Sequence, residues 1–351
     1  MPVAASDQTR TQLASAFRER TIESPESRRQ ILLMRQTRKS PTEEELLQAG
    51  IAIVRRTIVR VLNKVAENPE DAFDKLWYPK LSKFVLKVDL FAEREGRDYL
   101  RDRFGNRIEI RGEESSLEQV PKDRIAALMD MLDGSDLLER GLGNWCSAVV
   151  FFDSARRRVV ASVVGLPSRR IYYASASQKG AHVILPKFGD RRQRISHPLH
   201  VKSSRVQLKD ASVAFYGQKV RNLLSILPPS SGFLGGLSRL AHDLKQEQET
   251  PQASAFRIYN FGGNPMMLKL AEGRIDAVFD VQGQQCHDVI PGAYIALKAG
   301  AVLRDLEDHD ISEETLAAKL ENPAAKLQYV LASNRQLADE LVRLLSNREE
   351  E

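Results

Sequence analysis

Two aspartates, a glycine and a serine stand together in the sequence Asp130-Met131-Leu132-Asp133-Gly134-Ser135. The apolar run 125–129 before them predicts a buried strand, and residues 136–140 after them predict the start of a helical turn. Carboxylate oxygens suit hard divalent cations such as Mg²⁺, and the free backbone N–H groups at a helix start suit a phosphate. The stretch therefore indicates a metal beside a phosphate, which is an arrangement for phosphoryl chemistry.

Other acidic residues occur in comparable places, close to where a predicted strand or helix begins or ends. Glu113 follows the short alternating strand 108–110, and Asp288 stands at the start of a helix. Each has an ordinary explanation as well: a loop acid for Glu113, a turn residue for Asp133 and a helix cap for Asp288. The chemical interpretation therefore depends on the whole set and its order. The set comprises Asp89, Glu113, Asp130, Asp133 and Asp288.

The elements that must position these acids in the first half are helices followed by strands. Residues 40–45 have the small polar residues, early proline and acids of a helix start, and apolar spacing predicts a long helix to about residue 66. Residues 70–83, with Trp77 and Tyr78, predict a loop, and the later part of 84–103 predicts a second helix. Strands are expected at 145–152, which is rich in Val and Phe, and at 158–165 and 170–174. They form an antiparallel meander, so this half is α+β.

The second half alternates strands and helices, as an α/β layer does. We expect strands at 211–216 and 275–281, and helices at 218–227, 232–246, 266–271 and 288–299. Residues 247–253 predict a loop, 282–285 a turn, and 312–347 a helical C-terminal region. The chain is therefore divided into a basic, flexible tail (1–40), an α+β metal-binding half (41–200), an α/β half (201–310) and a C-terminal helical extension (311–351).

Composition and charge limit the classes of protein that fit. An apolar share of 42% and a charged share of 28% are those of an ordinary globular protein, and no apolar run reaches the roughly 18 residues of a membrane span. Two cysteines argue against a disulfide scaffold and predict a reduced, cytoplasmic protein. Residues 1–40 carry eight Lys/Arg and four Asp/Glu, so they hold +4 of the net +5. The core is thus close to neutral, which argues against a nucleic-acid partner for it.

Three motifs occur in a fixed order: Gly112-Glu113-Glu114-Ser115, then the stretch 130–135, then Asp288 followed by Pro291-Gly292-Ala293 and Ala299-Gly300. This order resembles the inositol monophosphatase family of metal-dependent, lithium-sensitive phosphatases. The family's motifs are Gly-Glu-Glu-Ser, Asp-Pro-Ile-Asp-Gly-Thr, and Trp-Asp before a Gly/Ala-rich helix start. The resemblance covers about 40–305. It implies a layered αβαβα sandwich of the sugar-phosphatase type that binds two or three Mg²⁺ ions.

The resemblance implies a role for each matching residue. Glu113, Asp130, Asp133 and Asp288 would bind metal through their side chains and Leu132 through its carbonyl, with Asp130 bridging two ions. Glu113 and Ser135 would orient and polarise the attacking water, while Asp89 would serve a third, more weakly held ion. The amides of Gly134 and Ser135 would hold the phosphate. Phosphoryl transfer needs the charge neutralisation that such ions supply.

Several residues differ from the family pattern. Met131 and Ser135 replace a Pro and a Thr, His287 replaces the Trp before Asp288, and Leu86 lacks the Thr hydroxyl three residues before Asp89. Substrate contacts are expected from Asp133, from Gly262 and Gly263, and from Asp280 if its loop holds one extra residue. These differences predict a substrate pocket unlike that of a typical inositol phosphatase.

The predicted activity is therefore Mg²⁺-dependent hydrolysis of a small polyol or sugar phosphate, with a homodimer possible and no membrane association. A 3′-phosphonucleotide or fructose-bisphosphate phosphatase and a non-catalytic regulatory homologue are the alternatives. A haloacid-dehalogenase phosphatase fits less well, because Met131 stands where its nucleophilic Asp should be. Cys286 and His287 beside Asp288 suggest a transition-metal site, but further His or Cys ligands at zinc spacing are missing.

Overall fold

The first element in the computed structural model is helix α1 (Glu43–Glu67), in agreement with the predicted long helix. The structure describes residues 40–79, 82–114, 123–186, 195–202, 206–217, 256–322 and 324–346. A capping box starts α1: Glu45 N donates to Thr42 Oγ1 at 3.2 Å, and the Glu45 carboxylate accepts from Thr42 N at 2.8 Å. The basic tail 1–40 lies almost wholly outside the described residues.

A short helix and a hairpin occupy the region where the sequence predicts a loop. Helix α2 (Pro69–Phe73) is followed by strands β1 (Lys75–Tyr78) and β2 (Lys83–Leu86), which pair antiparallel. The loop prediction for Trp77 and Tyr78 is therefore wrong. The rings of Trp77 and Phe84 pack edge to face across the hairpin with centroids 5.1 Å apart, and aromatic cross-strand pairs stabilise such ribbons. Helix α3 (Lys87–Phe104) follows and confirms the second predicted helix.

Seven strands form the first large sheet, in the order β3-β4-β5-β6-β7-β8-β9. They are β3 (Ile108–Gly112), β4 (Ile125–Asp133), β5 (Cys146–Asp153), β6 (Arg158–Gly165), β7 (Ile171–Ser175), β8 (Ala181–Ile184) and β9 (Ser196–Leu199). Only β3 and β4 are parallel, and β5 to β7 confirm the predicted antiparallel meander. The five-residue helix α4 (Ser135–Glu139) follows β4.

Five strands form the second sheet, in the order β11-β10-β12-β14-β13. They are β10 (Ser212–Phe215), β11 (Arg257–Tyr259), β12 (Ala277–Gln285), β13 (Val302–Arg304) and β14 (Lys326–Ala332). The helices of this part are α5 (Asn264–Ala271), α6 (Cys286–Lys298), α7 (Glu313–Leu320) and α8 (Arg335–Ser346). Parallel pairing is confined to the contacts of β10 with β11 and β12.

Two predictions for this part are wrong. The supposed helical extension contains β14, which pairs with both β12 and β13 and so lies inside the sheet. The supposed turn 282–285 is the end of β12, which continues past an irregularity between Asp280 and Gln284. The predicted helices at 218–227 and 232–246 and the loop at 247–253 lie outside the described residues.

Three hydrophobic clusters define the layers of the molecule. One joins α1 and α3 to one face of the first sheet. A second joins the other face of that sheet to α5 and α6 and to one face of the second sheet. A third joins the far face of the second sheet to α8. The layers therefore follow the order αβαβα, which confirms the predicted fold class. None of the helices within the described ranges is both long and apolar enough to cross a membrane.

Candidate metal centre

Strand β4 carries Asp130 and Asp133 at the end of a fully buried segment. In a regular strand, residues three apart point to opposite faces, but the pairing of β4 with β5 is irregular between these two positions. Such a bulge re-aims side chains. Ser147 Oγ donates to Met131 O at 2.6 Å, and Leu132 N donates to Asp130 Oδ1 at 3.0 Å, so the bulge has its own hydrogen bonds. Both aspartates can therefore belong to one acidic cluster.

Gly134 turns the chain from β4 into helix α4. Its φ of 88° is in the left-handed region, which favours glycine. A Cβ there would also lie 3.2 Å from Asn144 O and from Trp145 Cβ. The hydroxyl of Ser135, the next residue, interacts with the Asp89 carboxylate. The turn thus places the predicted water-polarising hydroxyl between the acids of β4 and the start of α3.

The loop that carries Glu113 is held by Glu93 of helix α3. Glu114 N donates to Glu93 Oε2 at 2.5 Å, and Glu113 N donates to Met129 O at 3.3 Å. Arg97 Nη2 lies 2.5 Å from the other Glu93 oxygen. Position 112, just before Glu113, requires a glycine, because a Cβ there would lie 2.4 Å from Glu93 Cδ. Glu93 therefore fixes the position of Glu113 without belonging to its motif.

Helix α6 contributes His287 and Asp288, the second and third residues of the helix. Pro291 lies inside the helix, beyond its first turn. A proline has no N–H for the carbonyl four residues earlier, and Asn264 Nδ2 approaches that carbonyl, His287 O, at 3.4 Å. Asn264 Oδ1 also accepts from Gly292 N at 2.7 Å, while its Nδ2 donates to Asp133 Oδ2 at 3.1 Å. Asn264 thus connects the start of α6 to the acids of β4.

Four side chains from three segments converge in one place. Ligand atoms of Glu113, Asp130, His287 and Asp288 all lie within 4.8 Å of one another. His287 Nε2 is 3.2 Å from Asp288 Oδ1 and 3.9 Å from Glu113 Oε2. Asp133 is close to this group: its charge raises the pKa of Asp130, and the charge of Asp288 raises the pKa of Asp133. The donor set of carboxylates and one imidazole suits a divalent metal ion.

The acids of this cluster repel one another. Burial raises the pKa of Asp130 well above its ordinary value, and the charges of Glu113, Asp133 and Asp288 raise it further. The pKa of Asp133 rises to about 7 through burial and the Asp288 charge. The pKa of Asp89 and that of Glu114 each rise to about 7 through burial and the Glu113 charge. The cluster therefore carries an excess of negative charge, which a bound cation would neutralise.

One lysine of the β1–β2 hairpin partly neutralises the cluster. Lys83 Nζ lies 2.8 Å from Glu113 Oε1 and 3.2 Å from Glu114 Oε1. Burial alone would raise the pKa of Glu113, but His287 and Lys83 outweigh it, so this pKa is lowered. Burial would likewise lower the pKa of Lys83, and the two glutamates reverse that effect and raise it. Burial lowers the pKa of His287, which therefore favours its neutral form.

Asp89 has one hydrogen-bonded carboxylate oxygen and one without a partner among the described residues. Leu86 N donates to its Oδ2 at 3.2 Å, which caps α3. Its buried Oδ1 has no hydrogen-bond partner among the described residues, and the same holds for Oε2 of Glu114. Both residues line a narrow cavity of about 10 Å³, together with Glu93, Glu113 and Asp130. Asp89 therefore faces the same acidic group as Glu113.

The predicted substrate residues lie in different surroundings. A Cβ on Gly263 would be 3.6 Å from Asp133 Oδ2, so the Gly262–Gly263 turn borders the cluster. Asp280 is buried, and its Oδ1 accepts from Gln282 N at 2.7 Å and Gly283 N at 2.6 Å. That oxygen therefore satisfies the backbone amides in the irregular part of β12.

Sequence reasoning did not find three residues of this site. Lys83, Glu93 and Asn264 approach the cluster from a hairpin, a helix face and a helix start, and none of them is part of an acidic motif. The one local signal among them is Asn264-Pro265 after two glycines, which has turn composition. His287 stands out in the sequence as the replacement for Trp and, beside Cys286 and Asp288, as a transition-metal candidate that has no further ligands at zinc spacing.

No protein-family model matches the sequence, and no curated protein sequence matches it significantly. Solved structures do match. Mycobacterium tuberculosis SuhB has a TM-score of 0.58 and 22% identity, and the match covers 88% of this chain and 98% of that one. The MJ0109 gene product, an inositol monophosphatase–fructose 1,6-bisphosphatase, has a TM-score of 0.58 and 17% identity, with 85% and 98% covered. SaIMPase-II bound to 2′-AMP has a TM-score of 0.56 and 15% identity, with 84% and 92% covered. The chain therefore has the fold of the inositol monophosphatase family.

Proposed function

We propose that this protein is a divalent-metal-dependent phosphomonoesterase acting on a small phosphorylated metabolite. The observation that supports this most strongly is the acidic cluster itself, in which ligand atoms of Glu113, Asp130, His287 and Asp288 lie within 4.8 Å of one another. Clustered carboxylates without a cation destabilise a fold, and the unpartnered oxygens of Asp89 and Glu114 point to the same need. The fold described above belongs to a family whose solved members include phosphatases, which makes the chemistry consistent with the scaffold.

The residues present fit such a metal. Side chains of Glu113, Asp130, Asp133 and Asp288 and the carbonyl of Leu132 would hold it, and Mg²⁺ is the ion that the sequence predicts. Bound divalent ions would neutralise charge on the phosphoryl group and make a water molecule more acidic. The Glu113 carboxylate, with Lys83 Nζ 2.8 Å from its Oε1, would accept a proton from that water. Ser135 would hold the water by its hydroxyl, and the amides of Gly134 and Ser135 would hold the phosphate.

The substrate pocket is proposed to differ from that of a typical inositol phosphatase. One oxygen of Asp280 is already bonded to two backbone amides, which limits the contacts it can offer a sugar hydroxyl. Asn264 lies next to the cluster and uses both ends of its amide in hydrogen bonds within the protein. A small polyol, sugar or nucleotide phosphate remains the proposed substrate class. The fold also occurs in a protein solved with 2′-AMP, so nucleotides belong in any substrate panel.

Phosphate release tests the proposal directly. The panel contains inositol monophosphate, fructose 1,6-bisphosphate, a 3′-phosphonucleotide and 2′-AMP, each with Mg²⁺, with Mn²⁺ and with a chelator. We expect metal-dependent release from at least one compound. The Asp130→Asn variant should lose more than about 100-fold of that activity, because even outer-shell residues of metal sites contribute 10–100-fold. Asp98→Asn, on the exposed face of α3, is the matched control.

Two outcomes would contradict the proposal. If no compound releases phosphate with any metal although the protein binds one, the non-catalytic regulatory alternative replaces the enzyme. Full activity in Asp130→Asn would remove the assignment of the metal ligands. A cytoplasmic location and a homodimer remain predictions, which cell fractionation and light scattering test.

A further inference from the structure

His287 is a completely buried histidine whose ring nitrogens have no hydrogen-bond partner among the described residues. Its Nε2 lies near two carboxylates, 3.2 Å from Asp288 Oδ1 and 3.9 Å from Glu113 Oε2, but neither contact has hydrogen-bond geometry. Buried polar groups are almost always paired, so each exception needs an explanation. The imidazole is thus directed into the acidic cluster without a partner there.

An ordinary core histidine would be satisfied by its neighbours. His182 differs from His287: its Nδ1 also has no hydrogen-bond partner among the described residues, but the residue is only partly buried and its ring stacks on Tyr173 at a centroid distance of 5.4 Å. His287 lies at the start of α6, where its own carbonyl accepts from Asn264 and the next residue is an expected metal ligand. Its backbone is therefore held in place while its Nε2 remains available. A ligand in the cluster would satisfy it.

The spacing of the cluster allows one ion to be shared. Two atoms that are each about 2.1 Å from the same ion lie no more than about 4.2 Å apart. Ligand atoms of Glu113, Asp130, His287 and Asp288 are within 4.8 Å of one another without any ion. Small side-chain adjustments would bring all four to one metal. The cluster would then offer one nitrogen and three oxygen ligands.

We propose that His287 Nε2 is a metal ligand in this centre, and that it shifts the preference of the centre from Mg²⁺ toward Mn²⁺ or Co²⁺. Imidazole suits transition metals, whereas carboxylate, carbonyl and water ligands suit Mg²⁺. A nitrogen donor in an otherwise oxygen-lined centre therefore favours an ion that accepts both. The inference depends on the proposed function only in taking the acidic cluster as a metal centre.

Electron spin echo spectroscopy of Mn²⁺ bound to the full chain without an affinity tag tests the ligand itself. Imidazole bound directly to Mn²⁺ should give a ¹⁴N coupling, which ¹⁵N-labelled histidine should change. The coupling should disappear in His287→Phe and His287→Gln. It should persist in His309→Gln, which alters the exposed group of Asp305, Glu307 and His309, the other candidate ion-binding group in the described chain. Bound Mn²⁺ without a ¹⁴N coupling in the unmodified protein would overturn the proposal, whatever the variants do.

Calorimetric titration with Mn²⁺ and with Mg²⁺ tests the preference. The ratio of the Mg²⁺ to the Mn²⁺ dissociation constant should fall about tenfold or more in His287→Phe, a change typical of losing one contact in a metal site. An unchanged ratio in a variant with native circular dichroism would refute the inference. Asp130→Asn should lose both metals. If the unmodified chain binds neither metal, the proposed function fails as well. If it binds both regardless of His287, only this inference fails.

Discussion

A residue outside every motif controls the position of Glu113. Glu93 accepts the Glu114 N–H and meets the guanidinium of Arg97, so its carboxylate is fixed at both oxygens. The close approach of Gly112 to that carboxylate makes the fit sensitive to a single methyl group. Metal ligands depend on such neighbours for their orientation, and losing one typically costs 10–100-fold in metal affinity.

Gly112→Ala should therefore weaken metal binding by about 10–100-fold. The added Cβ would lie 2.4 Å from Glu93 Cδ, so either the Glu113 loop or the Glu93 side chain must move. Calorimetric titration with Mn²⁺ measures the effect. Gly143→Ala is the matched control, since a Cβ there meets nothing within 4 Å and should leave the affinity unchanged. Equal affinities for both variants would show that Glu93 does not position the loop.

At the scale of elements, the β1–β2 hairpin positions Lys83. Within the described residues, this is the one cationic side chain at hydrogen-bond distance from both Glu113 and Glu114. Lys83→Gln should lower the melting temperature of the metal-free protein, because the two glutamates lose their counter-charge. The same variant should bind divalent metal more tightly, because a cation repels the incoming ion.

Thermal unfolding with and without Mn²⁺ measures both effects of Lys83→Gln. Lys75→Gln removes an exposed charge from the same hairpin and should change neither value by much. A weaker metal affinity in Lys83→Gln would mean that the lysine supports the bound state instead of competing with the ion.

Asn264 connects helices α5 and α6 to strand β4. Asn264→Ala would leave Gly292 N, His287 O and Asp133 Oδ2 without its hydrogen bonds. We expect a loss of about 2–3 kcal/mol in the free energy of unfolding, because buried groups are left unpaired. Urea denaturation measures it, with the exposed Asn322→Ala as control. A loss below about 0.5 kcal/mol would show that other groups or water replace the amide.

The sequence predicted the acids because each stands in a short motif at an element boundary. It also predicted the layers, because hydrophobic spacing differs between helices and strands. It could not locate β14, since the apolar residues around 326–332 continue the Leu-rich spacing of α7 and α8. It missed the end of β12 because Gln282-Gly283 has turn composition, whereas the Asp280 carboxylate satisfies the amides of a bulge there. Long-range partners such as Lys83 leave no local pattern at all.

At the scale of the whole molecule, the acidic cluster makes stability depend on pH when metal is absent. The pKa values of Asp89, Glu114 and Asp133 are about 7 in the folded protein, compared with ordinary values of 3.8, 4.5 and 3.8. Between about pH 4 and about pH 7 the folded state binds more protons than the unfolded state, so the free energy of unfolding falls as pH rises. The contribution is complete below about pH 4 and is lost as pH passes about 7.

The metal-free protein in a chelator should thus be less stable at about pH 8 than at about pH 5. Urea denaturation at both values measures the difference, and Mn²⁺ should reduce or reverse it. Asp133→Asn should give a smaller difference than the unmodified protein, because one of the titrating groups is gone. A chelated protein that becomes more stable from about pH 5 to pH 8 would contradict the raised pKa values.

The position of β14 has a consequence for how the protein is made. This strand lies between β12 and β13, and β12 leads directly into α6 with His287 and Asp288. During synthesis β12 leaves the ribosome before β14 has been made. One edge of β12 therefore stays unpaired until β14 is synthesised. An open edge is a site for wrong pairing with another chain. A nascent chain stalled before residue 326 would hold all the acidic ligands and still lack the strand that supports the last of them.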